Sequence, residues 1–156
     1  MREKQNIGDT IGSERYSVQL YGKGYFDKFD PANLFEKWAA VEVPADAQLP
    51  NGMERLTLPG GLYAVFHYQG SSTETAIFNY IFTEWLPASG YELDDHPHFE
   101  VLGEKYKNAD STSEEDIWIP IRIKENKLLT LRSVHPQTAR PCCQRRAGLP
   151  GSYHSF

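Results

Sequence analysis

Tyr16, Val18 and Leu20 alternate with Ser17, Gln19 and Tyr21 before the run stops at Gly22 and Gly24. That period of two predicts a half-buried strand ending in a turn. Phe35, Trp38, Ala39 and Ala40 fit a helix as well as a strand, but Val41-Glu42-Val43 followed by Pro44 favours extended chain. The segment Pro44 to Met53 then reads as a loop. Leu56-Thr57-Leu58, the break Pro59-Gly60-Gly61 and the aromatic run Leu62 to Tyr68 predict a hairpin-like pair. Ser71 stands three residues before Glu74, the spacing of a capping box, so a helix is expected to start there. Ile77, Phe78, Ile81, Phe82 and Trp85 make one apolar face, with Glu74, Asn79 and Thr83 outside it, and Pro87 and Gly90 end the run. His98 to Tyr106 and Asp116 to Ile123 are strand-like, separated by a polar loop over 107–113.

From Leu56 the order is strand, helix, strand, strand, which predicts an α+β fold: an antiparallel sheet with a helix packed across it. Gln5 to Glu14 is polar and without apolar period, and beyond Lys127 only Leu128, Leu129 and Leu131 precede a Pro/Arg/Cys/Gly/Ser sequence. The expected organisation is an irregular lead-in over 1–15, one folded domain over 16–125, and a basic, disordered tail over 126–156.

Charge sharpens that division. The 156 residues carry a formal charge of -5. From Asn126 onward there are Lys127, Arg132, Arg140, Arg145 and Arg146 and no acidic residue, so residues 1–125 are strongly acidic. An acidic body repels a phosphate backbone and favours cationic partners, so no direct nucleic-acid binding is expected. Aromatic residues make up 13% of the chain, which suits a small fold with large rings in its core or lining a pocket.

No apolar run is long enough to span a bilayer and Met1 to Asn6 lacks the apolar stretch of a secretory signal, so no membrane contact and a cytoplasmic location are expected. Adjacent Cys142 and Cys143 supply neither a disulfide framework nor the spaced ligands of a zinc site. Asp94-Asp95-His96-Pro97-His98 gathers metal-capable groups without helical ligand spacing, no G-x-S-x-G is present, and Gly60-Gly61 lacks the rest of a phosphate-binding loop. Neither a metal nor a cofactor is expected.

Four motifs in order carry a resemblance. Leu58-Pro59-Gly60-Gly61-Leu62-Tyr63-Ala64-Val65-Phe66, Glu84-Trp85-Leu86-Pro87-Ala88-Ser89-Gly90-Tyr91, Pro97-His98-Phe99-Glu100-Val101 and Asp116-Ile117-Trp118-Ile119-Pro120-Ile121 resemble the GyrI-like small-molecule-binding family, the effector-binding half of many AraC-type and multidrug-sensing transcription regulators. Phe35 to Val43 resembles that family's segment between its two halves. The resemblance implies two strand-helix-strand-strand (SHS2-like) units around a pocket of aromatics and carboxylates that receives hydrophobic, often cationic compounds. Its second unit is complete here, whereas nothing before Tyr16 matches the first unit's opening strand and helix. A partial first unit leaves sheet face uncovered, which implies a homodimer. The helix-turn-helix of such regulators is absent from the sequence before the domain.

The candidate ligand-binding residues are Trp38, Glu42, Tyr63, Glu100, Asp116 and Trp118. Trp38 and Glu42 share one strand face, as do Asp116 and Trp118, so an aromatic ring meets a carboxylate twice, the combination a lipophilic cation needs. The same pattern also fits core tryptophans beside a wet sheet face. Glu100 faces opposite Phe99 and Val101, either to solvent or into the cavity while those two pack under the helix. Tyr63 both stacks and donates a hydrogen bond. No catalytic residue is assigned. The expected function is a small-molecule binding or sensing module; a hydrolase of reactive electrophiles and an interaction module of the gyrase-inhibitor type stand as alternatives.

Overall fold

A computed structural model of the protein describes residues 7, 10–27, 33–124 and 152–155. Its strands are β1 (Arg15–Leu20), β2 (Glu36–Val43), β3 (Arg55–Thr57), β4 (Tyr63–Gln69), β5 (Tyr91–Leu93), β6 (His98–Leu102), β7 (Glu114–Ile123) and β8 (Ser152–Ser155). They form one antiparallel sheet ordered β3-β8-β2-β1-β6-β7-β4, with β5 paired to the end of β7. Among the described residues a single helical segment, Ala76 to Ala88, packs across β4 and β7, so the fold is α+β as the element order requires. The unit of β4, helix, β6 and β7 is complete, and β1 with β2 repeats the β6–β7 pairing in the other half.

Alternation divides the sheet into two faces. Ile117, Ile119 and Ile121 of β7 are almost wholly buried under the helix, packed with Ala64 and Ile81. Each such side chain contributes roughly 1.5–3 kcal/mol by leaving water. The opposite face carries a second cluster: Tyr16 and Val18 of β1, Ala40 of β2, Tyr63 of β4 and Phe99 of β6, with Trp38, Leu56, Leu58, Val101 and Trp118 against it.

That second cluster sits in a curled sheet. Residues 58–62 carry the chain from β3 at one edge to β4 at the other. Six residue steps reach at most about 22 Å, whereas seven flat strands would span about 29 Å. The edges must therefore approach each other, and Leu56 and Leu58 close over the concave side.

Three local expectations are corrected here. The Leu56 to Tyr68 stretch is not a hairpin, because β3 pairs with β8 and β4 with β7. Pro59-Gly60-Gly61 breaks the chain as anticipated, but into a crossing rather than a reversal. Helix start lies at Ala76, and Thr75 makes no side-chain cap. The capping box is lost to competition: Ser71 Oγ accepts from Thr73 N at 3.3 Å, and the Glu74 carboxylate accepts from Tyr68 Oη at 3.3 Å.

Within the helical segment, Ile81–Trp85 is a π-helical turn in which Leu86 N–H donates to Ile81 O. Pro87 accounts for it. Its ring collides with the carbonyl four residues back in a regular α-helix, and the wider turn moves that carbonyl aside.

Ile7 is buried against Val41 and Val43, so part of the lead-in is tied to β2. Of the tail expected over 126–156, residues 126–151 and 156 lie outside the described residues. Ser152–Ser155 is a strand between β2 and β3, where sequence alone predicts no regular structure.

Candidate functional site

The helix-side face of the central strands is not fully covered. A groove of about 280 Å³ runs beside the helix. Gln19 of β1, Lys37 of β2, His98 and Glu100 of β6, and Ile117 and Ile119 of β7 make its floor; Phe78 and Phe82 form the helix wall, and Tyr21 and Phe35 the opposite one. Phe78 and Phe82 are four residues apart, which places both rings on one helix face. Phe99 and Trp118 contribute the backbone between floor residues, since alternation turns their side chains to the other face.

At one end the rings close around His98. Tyr21 lies 4.8 Å from it edge-on, Phe26 stacks at 5.3 Å, and Phe82 lies at 6.2 Å. His98 is only 4% exposed, and burial holds its imidazole neutral, with a pKa lowered to about 4. Burial, with the nearby Tyr25 and Glu100 charges, pushes the Tyr21 phenol up to about 12.

In the middle, the Glu100 carboxylate is half-buried and accepts one hydrogen bond, from Gln19 Nε2 at 3.1 Å. The same amide lies 3.2 Å from Ser17 Oγ, which fixes its orientation from below. Beyond Glu100 stands Glu115, 7% exposed, whose carboxyl is pushed up to about 6 by burial and then by the Glu100 charge, while Lys37 opposes the rise. Acidic oxygens among apolar rings form a surface that attracts positive charge and accepts protons.

Of the six candidate residues, Glu100 alone presents its side chain to this groove. It does so in a way alternation left open: Phe99 and Val101 pack on the concave face, not under the helix. Trp38, Tyr63 and Trp118 join that concave cluster, where Trp118 stacks on Phe99 at 5.2 Å and Tyr63 meets Trp118 edge-on at 5.9 Å. Glu42 lies on the same side and its carboxylate is 3.4 Å from Tyr16 Oη. Asp116 sits near the sheet edge, 2.8 Å from His67 Nδ1. The two ring-and-carboxylate pairs therefore share a face, as their spacing requires, but it is the face turned away from the groove.

Sequence reasoning missed Gln19, Tyr21 and Phe82 as groove residues. One signal was present: Ser17, Gln19 and Tyr21 form a polar stripe on what becomes a central strand, and a polar side chain such as Gln19 buried there needs a partner. The metal-capable stretch separates into unlike environments, His96 with its Nδ1 2.8 Å from Asp94 Oδ2 and His98 among rings. Among the described residues no group of three or more His, Cys, Asp or Glu could hold a metal ion. No helix among them is long and apolar enough to cross a membrane.

Comparison with known proteins identifies the family of the domain. Residues 13–122 match the family described as GyrI-like small molecule binding domain. The transcriptional regulator BrlR of Pseudomonas aeruginosa is 31% identical over 93 residues, covering 58% of this chain and 34% of the regulator. A DNA gyrase inhibitor of Erwinia billingiae is 34% identical over 98 residues, covering 58% of this chain and 61% of that protein. The chain thus aligns with less than two thirds of either relative's length.

Proposed function

The chain belongs to the GyrI-like small-molecule-binding family, and from that premise we propose that it captures or senses flat hydrophobic cations in the groove beside the helix. The observation that carries this reading is the setting of Glu100. Its carboxylate stands between Phe78, Phe82, Tyr21 and Phe35 with one hydrogen bond from Gln19, so lone pairs remain for a ligand. A lipophilic cation gains ring-face attraction and apolar contact from the walls and charge complementarity from the floor. Trp38, Tyr63 and Trp118 support that floor from behind, with Glu42 and Asp116 on the same far face. The groove is open to solvent on one side, which suits reversible capture better than hydrolysis, where a closed cavity would hold the reacting water.

Calorimetric titration of ethidium and of neutral phenanthridine, the same ring system without the charge, tests the reading. Glu100→Gln keeps size and removes charge. It is expected to weaken ethidium about tenfold or more and leave phenanthridine within about twofold. Equal losses for both ligands, or no loss for either, would refute the electrostatic role of Glu100.

A further inference from the structure

Lys37 is the only lysine or arginine among the described residues that line the groove. Strand register places it directly opposite Gln19 of β1, which in turn stands opposite His98 of β6, and Glu100 follows two residues further along that strand. All four residues belong to the helix-side face. Lys37 and Glu100 are therefore two strands and one row apart, about 12 Å between backbones. Groups without charge lie between them: the Gln19 amide, whose nitrogen donates to Glu100 at 3.1 Å, and His98, which burial keeps neutral. Lys37 itself is exposed, and it forms no ion pair with a carboxylate among the described residues. The floor thus offers a negative and a positive group at separate points, with Phe78 and Phe82 on one wall and Tyr21 and Phe35 on the other.

We propose that Lys37 is a specificity-determining residue, and that with Glu100 it makes the groove prefer zwitterions: flat aromatic compounds with a cationic group at one end and a carboxylate at the other. This rests on the groove reading above and adds a second point of recognition to it. A simple cation is drawn to Glu100 but meets like charge at Lys37, a cost that remains as long as nothing anionic lies there. A ligand carboxylate at that end turns the repulsion into a charge-assisted hydrogen bond, while the rings between the two charges keep their contact with the aromatic walls. The separation of Lys37 from Glu100 is what makes this possible, because two groups close enough to pair would neutralise each other and leave neither for a ligand. The long Lys37 stem lets its ammonium follow ligands of somewhat different length.

The experiment compares 6-amidino-2-naphthoate, a zwitterion, with its methyl ester, a cation of the same ring system, by calorimetric titration at low ionic strength. Wild type should bind the zwitterion about three- to fivefold more tightly than the ester, the modest margin expected of an exposed lysine. Lys37→Met should abolish that preference by weakening the zwitterion, and leave the ester within about twofold or slightly tighter. Lys37→Arg should retain it. Lys37→Glu should invert it, so that the ester becomes the better ligand. Because Lys37 is exposed, these variants are expected to melt as the parent does. Glu100→Gln should weaken both compounds. Equal affinity of the two ligands for wild type, or parallel changes for both in Lys37→Met and Lys37→Glu, would overturn the role of Lys37. The groove reading would still stand in that case if the ester bound and Glu100→Gln weakened it. Failure of both compounds to bind wild type would remove both.

Discussion

Phe99 and Trp118 stack at 5.2 Å with their planes 16° apart, directly across the β6–β7 pairing, on the face that does not carry Glu100. Groove and aromatic core are therefore back to back, separated by one layer of backbone. Substitutions on the two faces should have separable effects on binding and on stability.

Trp118 tests that separation. Its indole nitrogen is buried without a hydrogen-bond partner, so the ring stabilises by contact alone. Trp118→Ala should lower the unfolding free energy by about 3 kcal/mol or more, whereas Trp118→Phe keeps the stack, removes the unpaired N–H and should cost less than half as much. Urea denaturation measures both. Retention of ethidium affinity by the folded Phe variant would confirm that this ring acts from behind the floor.

His98 makes stability depend on pH with a definite sign. Its folded pKa, about 4, lies below the ordinary value of 6.5, so the unfolded chain binds the proton more readily. The contribution is fully present above about pH 6.5 and is lost as pH falls toward 4. It amounts to about 2 kcal/mol less at pH 5 than at pH 7.5. Glu115 acts in the opposite sense, since its folded carboxyl is raised to about 6 and its burial becomes less costly once protonated. The net slope should therefore be shallower than His98 alone would give. Thermal melts of His98→Phe should reveal the Glu115 trend by itself, with stability rising on acidification through pH 6.

Gln19 should orient the groove carboxylate without contributing charge. Gln19→Leu removes the 3.1 Å hydrogen bond to Glu100 and keeps comparable bulk. Calorimetric titration should show ethidium affinity falling several-fold in this variant, because the carboxylate loses the donor that positions it. An unchanged affinity would mean that the contact does not govern the carboxylate.

Ile121 and Ile123 provide an internal control for burial. They lie two residues apart on β7, one wholly buried and the other 71% exposed. Ile121→Ala is expected to cost about 3 kcal/mol, and Ile123→Ala within about 0.5 kcal/mol of nothing, both read from chemical denaturation.

How far the molecule is legible in its sequence depends on the range of each interaction. Alternation on β1, β6 and β7 and the Ile77-Phe78-Ile81 stripe gave the correct elements because both signals are local and large rings reinforce them. Pro59-Gly60-Gly61 marked a break, but a break does not name the strand on its far side, and the partner of β3 lies beyond residue 150. Ser71 and Glu74 had the spacing of a cap, yet Tyr68 took the carboxylate through a contact invisible to spacing. At the site, the period of two sorted residues correctly into two sets. It could not say which set met the groove, because that choice follows from where the helix lies and how the sheet curls.

The pairing of β1 with β6 places Ser17 opposite Glu100, and it is this junction, not either half of the chain alone, that makes the groove floor. Contacts of such sequence separation must await closure of a long loop, so they form late and slow the overall folding rate. The ligand site should therefore have no precursor in partly folded states. During refolding, recovery of dye binding would report the final joining of the two halves, even while helical circular dichroism registered earlier events.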